Sequence, residues 1–143
     1  MGNCYNKVEI ARPPISVWQT IHDFHDMSWA PDVITSLEKI GDKNGTEIGA
    51  KRILNGVFHE TLRAYDPYEL TFSYSIDDGP GPVSRSLVKN YMDMVIVSST
   101  EGGTVVEWCS TFESEDDDQV GEFRNPIYAA LLAALHDALT QTD

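Results

Sequence analysis

Basic residues are scarce in this chain of 143 residues. Lysine and arginine together number 10 against 23 acidic residues, a formal net charge of −13. That balance excludes the electrostatic grip on phosphates that nucleic-acid binding needs, and it works against anionic membrane surfaces. Cysteine is almost absent: Cys4 and Cys109 form neither a metal-ligand spacing nor a redox motif, and they make no disulfide framework. No apolar run reaches the roughly 20 residues of a membrane span. No basic stretch leads into an apolar one near Met1, so the expectation is a cytoplasmic protein without stable membrane association. Nucleophile elbows, phosphate-cradling loops and dinucleotide fingerprints are missing as well. No metal and no cofactor are expected.

What the chain does have is one long apolar stripe near its end. Tyr128, Leu131, Leu132, Leu135 and Leu139 recur at spacings of three and four, the signature of one helical face. Alanines at 129, 130, 133, 134 and 138 fill the other faces with strong helix formers. Asn125-Pro126 reads as an N-cap and first-turn proline, which places a helix start or restart there. The acidic run Glu113 to Glu122 lacks calcium-loop spacing and reads as a solvated helix approach.

Upstream the pattern is mostly of period two. Lys7 to Ala11 reads as a strand; Pro13-Pro14 then opens a helix over Ile15 to Phe24, and His25 to Pro31 forms a second short helix or turn. Further strands are expected over Val33–Ile40, Ala50–Leu54, Val57–Tyr65, Leu70–Ile76, Ser86–Val97 and Thr104–Phe112. Asn55-Gly56 is a strong hairpin signal. If it forms a two-residue loop, Leu54 faces Val57 and Lys51 faces Glu60, which puts Lys51, Ile53, Phe58, Glu60 and Leu62 on the core side. The order is α+β: a strand, two short helices, six strands in a largely antiparallel sheet, and one long helix, all in one domain spanning 1–143.

Pro14 to Phe24, Trp29-Ala30-Pro31, Gly49 to Arg52, Glu60 to Asp66, Phe72 to Ile76, Gly79 to Val83, Gly103 to Trp108 and Tyr128 to Leu135, taken in this order and spacing, resemble the START-like superfamily, which includes the birch-pollen allergen, plant hormone receptors and polyketide cyclase/dehydrase-like proteins. The resemblance spans nearly the whole chain and is similar to the polyketide cyclase/dehydrase and lipid-transport-like branch. It implies a helix-grip fold, a curved antiparallel sheet of about seven strands closed around the long C-terminal helix with a cavity between them. Its members include lipid and hormone carriers as well as aromatase/cyclases.

The residues facing that space are the candidate site. Lys51 and Glu60 form a polar anchor or an acid/base pair at the cavity floor, or else a structural ion pair, or lie in solvent if the register differs. Phe72, Tyr74, Tyr91 and Trp108 share the concave face, where an aromatic ring supplies apolar area and its polar tip fixes orientation. Asp93 lies on the face of Tyr91, as its partner or as a sign of internal water. Trp29 either lines the mouth or caps the core. Phe58, Tyr128 and Leu132 complete the expected lining, and Phe123 and Pro126 mark the expected opening. His22 and His25 stand at a helix end with no third ligand motif beside them, and His59 and His136 fall on peripheral faces.

Three readings follow. A binding protein would hold a small hydrophobic or aromatic molecule, lipid-like or polyketide-like, in a pocket of roughly 300 Å³ or more. An aromatase/cyclase or dehydratase would use Glu60, Tyr74 or Tyr91 as proton shuttles. An interaction module would dimerise through Met92, Met94 and Ile96 on the outer face of the long strand.

Overall fold

The computed structural model describes residues 1–140. Its sheet has seven strands in the order β1-β7-β6-β5-β4-β3-β2, with every neighbouring pair antiparallel. The strands are β1 (Gly2–Ile10), β2 (Leu37–Ile40), β3 (Lys51–Leu54), β4 (Phe58–Asp66), β5 (Thr71–Asp78), β6 (Val88–Thr100) and β7 (Gly103–Ser114). β3 to β7 are joined in succession, by short turns except between β5 and β6, where the connection holds a 3-10 turn over Gly81–Val83, while β1 crosses to pair with β7. One short helix, α1 (Pro14–Ile21), follows β1, with proline in its first turn and Val17, Trp18 and Ile21 buried. The segment expected as a second helix consists of turns, and β2 begins only at Leu37 instead of Val33.

The sheet bends because its ladders are interrupted. One extra residue, Asp77, falls on β5 opposite the His59–Glu60 step; another, Arg63, falls on β4 between Leu62 and Ala64; a third falls on β6 between Lys89 and Met92. Each extra residue bends its strand and increases the local twist. Asn90, at φ 54°, carries the β6 bulge in the left-handed region that asparagine tolerates. The concave face formed in this way holds α2 (Asp117–Thr140).

α2 starts earlier than the Asn125-Pro126 signal suggests. Asp116 is its cap, accepting the Gln119 N–H at 3.0 Å, and Asp117 and Asp118 complement the positive end of the helix dipole. Pro126 therefore lies inside the helix. Asn125, rather than capping, accepts a hydrogen bond from Asn6 of β1 at 2.9 Å. At the far end, the Arg12 guanidinium donates to the Leu139 carbonyl at 2.8 Å, a cation on the negative end of the dipole. Tyr128, Leu131, Leu132, Leu135 and Leu139 are all buried, as their spacing predicts. Each of the four leucines contributes about 1.5–3 kcal/mol by burial.

Candidate functional site

The Asn55-Gly56 turn decides which charges go inside. Both residues have positive φ, and the Val57 N–H closes the turn on the Leu54 carbonyl at 3.0 Å. Val57, however, takes no place in the ladder: Leu54 pairs with Phe58, so Arg52, not Lys51, lies opposite Glu60. One leftover residue turns β3 over relative to the expected register, since side chains alternate faces. Lys51 points outward and donates to the Thr61 hydroxyl at 3.0 Å, so it takes no part in the site. Leu54 and Arg52 are buried in its place.

Arg52 and Glu60 form a buried ion pair. Nε and Nη2 of Arg52 reach Glu60 Oε1 at 2.8 and 2.7 Å, and Nη1 donates to the Phe24 carbonyl at 2.9 Å. The guanidinium also lies over the Phe24 ring, 3.8 Å from its centroid. Burial raises the Glu60 carboxyl above its ordinary value; Arg52 and Arg124 oppose the rise without cancelling it.

A second buried charge pair hangs from α2. Arg124 Nη2 contacts Asp93 Oδ2 at 3.1 Å, and Tyr128 donates to Asp93 Oδ1 at 2.6 Å. With its proton given to Asp93, the Tyr128 oxygen accepts from Tyr91 Oη at 2.8 Å and from Arg124 Nη2 at 2.9 Å. Trp108 Nε1 donates to the Tyr74 hydroxyl at 3.1 Å. Burial pushes Asp93 up, opposed by Arg124 and Tyr128. It holds the Tyr74 and Tyr128 phenols well above the ordinary tyrosine value, so both keep their protons.

Between these two networks lies a cavity of about 100 Å³. Its polar lining is Arg52, Glu60, Tyr74 and Arg124; Met27, Leu54, Phe58 and Leu131 supply apolar walls. Val33, Ile34 and Ile127, all partly exposed, stand with Asn55 at the mouth. The Asn55 side chain ties that mouth together: Oδ1 accepts from the Thr35 and Ser36 amides at 2.8 and 3.3 Å, and Nδ2 donates to the Val33 carbonyl at 3.0 Å.

Of the residues predicted from sequence, Phe58, Glu60 and Tyr74 line this space. Phe72, Tyr91, Trp108, Tyr128 and Leu132 are buried beside it without lining it. Tyr91 and Tyr128 are bound into the Asp93 network, which explains why the open volume falls well short of roughly 300 Å³: the phenols satisfy one another and fill the interior. Trp29 is buried and donates from Nε1 to the Asp26 carbonyl at 3.2 Å, away from the cavity. Phe123 is half-buried and does not reach the cavity, and Pro126 is exposed; the opening lies by Ile127 instead.

Arg124 is the residue that sequence reasoning missed. A signal existed: it stands four before Tyr128 and seven before Leu131, in line with the buried stripe. The histidines go to separate partners, His22 to the Tyr65 hydroxyl at 2.8 Å and His25 to the Lys51 carbonyl at 2.9 Å. On the outer face, Met94 is 43% exposed between half-buried Met92 and Ile96. No helix among the described residues is long and apolar enough to cross a membrane.

A curved antiparallel sheet gripping one long C-terminal helix defines the helix-grip class. The sequence profile of the family described as polyketide cyclase/dehydrase and lipid transport matches residues 1–141, and the chain belongs to that family. A solved protein from Nitrosospira multiformis is similar at 38% identity and TM-score 0.93, over 97% of each chain. XoxI from Bacillus cereus is similar at 27% identity and TM-score 0.79, over 97% of this chain and 96% of that one. Ara h 8.0201, at 16% identity and TM-score 0.75 over 97% of this chain and 98% of that one, shares the fold. None of the curated proteins compared matches the sequence.

Proposed function

We propose that this protein binds a small, largely apolar molecule in the cavity between the sheet and α2. The observation that carries the reading is the composition of one opening: apolar walls from Met27, Leu54, Phe58 and Leu131, a polar floor from Arg52, Glu60, Tyr74 and Arg124, and a partly exposed mouth. Pockets that bind small molecules combine such walls with a few convergent polar groups. Family membership supports the same role. At about 100 Å³ the space admits a head group or a very small ligand as it stands. A larger body projects past Ile34 and Ile127, or enters once the Val33–Ser36 segment swings away.

Native mass spectrometry of the purified protein tests the reading. A co-purified molecule, or saturable adducts with short-chain acyl and monocyclic aromatic compounds, is the expected result. A bare chain mass under all those conditions overturns it.

One observation favours acid–base chemistry as a second reading: the Glu60 carboxylate and the Tyr74 phenol line the same cavity. Tyr74 holds its proton too firmly to act as a base, so it would donate a hydrogen bond while Glu60 moves the proton. Tyr91, committed to Tyr128 and Arg124, drops out of this scheme. Retained turnover of an identified substrate by Glu60→Gln would refute it.

A further inference from the structure

The polar floor of the cavity has an unused donor and an unused acceptor. Arg124 is 3% exposed, and its hydrogen bonds run from Nε and Nη2; among the described residues Nη1 has no partner. Glu60 is likewise 3% exposed, and both of its contacts with Arg52 use Oε1, which leaves Oε2 unpaired among the described residues. Neither atom is sealed in protein, since the one fully enclosed side-chain polar atom without a partner among the described residues is Ser110 Oγ. Both residues line the cavity, which offers the two atoms room for a shared partner; Glu60 also borders an open groove beside Lys51, His59 and Asp77, which Arg124 does not reach. Buried polar groups are nearly always satisfied, and a free guanidinium N–H with a free carboxylate oxygen leaves two demands for a ligand to meet.

Charge narrows the chemistry. Around the cavity the two guanidiniums, Arg52 and Arg124, balance the two carboxylates, Glu60 and Asp93. A ligand carboxylate would satisfy Arg124 but set a third negative charge beside Glu60. An ammonium group would satisfy Glu60 but add a third positive charge beside both arginines. Either leaves an uncompensated charge away from water, which is costly. A neutral group that carries one acceptor and one donor has no such penalty.

We propose that the site selects a neutral head group pairing a carbonyl acceptor with an adjacent N–H or O–H donor, as in a primary carboxamide or a hydroxy-carbonyl. The carbonyl accepts from Arg124 Nη1, the N–H or O–H donates to Glu60 Oε2, and the apolar remainder lies along Leu54, Phe58 and Leu131 toward the mouth. This inference rests on the binding role proposed above and adds to it the class of ligand.

Four near-isosteric probes separate the possibilities: toluene, benzamide, benzoate and benzylamine, each titrated at pH 8 into the isotope-labelled protein while amide resonances of β3, β4 and α2 are followed. Benzamide is expected to bind at least about tenfold more tightly than toluene and than either charged probe, the worth of one hydrogen bond to a charged group. Glu60→Gln supplies the second arm. Its carboxamide keeps an acceptor for Arg52, replaces the free carboxylate oxygen with a donor and removes one negative charge. The preference is expected to move from benzamide to benzoate, a gain of binding that a damaged fold does not produce. Toluene binding as tightly as benzamide refutes the head-group inference and leaves the binding role standing. Benzoate binding most tightly to the unaltered protein also refutes the inference. No perturbation by any probe overturns both.

Discussion

Arg52 lies directly across the β3–β4 ladder from Glu60, its Nη2 2.7 Å from Glu60 Oε1, with both side chains almost wholly buried. The pair joins the hairpin to the segment after α1, because Nη1 of the same guanidinium holds the Phe24 carbonyl. Removing one partner leaves the other charge buried and uncompensated. Arg52→Met is expected to lower stability by about 3–5 kcal/mol, while Arg52→Met with Glu60→Leu recovers most of that loss. Urea unfolding of the two variants measures the difference.

The pH dependence of this pair has a definite sign. Burial raises the Glu60 carboxyl above its ordinary value of 4.5. A raised acid favours folding most when it is protonated, so its contribution is complete below the unfolded value and is lost as pH rises through the folded one. The stability advantage of the unaltered protein over Glu60→Gln is therefore expected to be largest near pH 4, shrinking toward neutrality. Paired urea titrations across that range give the slope; an advantage that grows with pH would contradict it.

Tyr128 is the hub of the second network, donating to Asp93 and accepting from Tyr91 and Arg124. Tyr128→Phe keeps the ring in place and strips Asp93 of its shortest hydrogen bond. The expected loss is about 1.5–3 kcal/mol, the range for a hydrogen bond to a charged group, read by chemical denaturation.

The mouth depends on Asn55, whose side chain holds Val33, Thr35 and Ser36. Its φ of 54° suits glycine but strains alanine, so Asn55→Gly removes the ties without distorting the turn. Amide exchange at Thr35 and Ser36 is expected to speed up, with little change on β5 to β7. Ligand association should quicken in the same variant, measured by stopped-flow fluorescence.

Pro126 interrupts α2 in its interior, where it denies a backbone donor to the carbonyl of Glu122. Because the residue is exposed and outside the cavity, Pro126→Ala is expected to stabilise the protein by up to about 3 kcal/mol without affecting ligand binding.

Local patterns made much of the fold legible. The alternation of Phe72, Tyr74 and Ile76 and of Val106, Trp108 and Phe112 marks inward faces because strand side chains have period two, whatever the sheet does elsewhere. The stripe from Tyr128 to Leu139 marks a helix face for the corresponding reason, a period near 3.6. The candidate site was less legible, since its polar floor depends on partners far apart in the chain. An arginine on a helix is ordinarily a surface residue; Arg124 is buried because Asp93, 31 positions earlier, lies on the concave face beneath it.

The Asn55-Gly56 turn shows the division most sharply. Asparagine and glycine tolerate positive φ at low cost, so a tight turn is legible from residues 55 and 56 alone. Whether Val57 joins the ladder is not a local matter. It is settled by the packing around Arg52, which brings together groups far apart in the chain. Inside, its planar guanidinium meets Glu60, the Phe24 carbonyl and the Phe24 ring together, while Lys51 remains hydrated outside. A lysine ammonium has no planar fork that can lie flat on the Phe24 ring while its edge reaches Glu60 and the Phe24 carbonyl, so the one-residue slip that leaves Val57 out of the ladder buries the cation whose shape matches these partners.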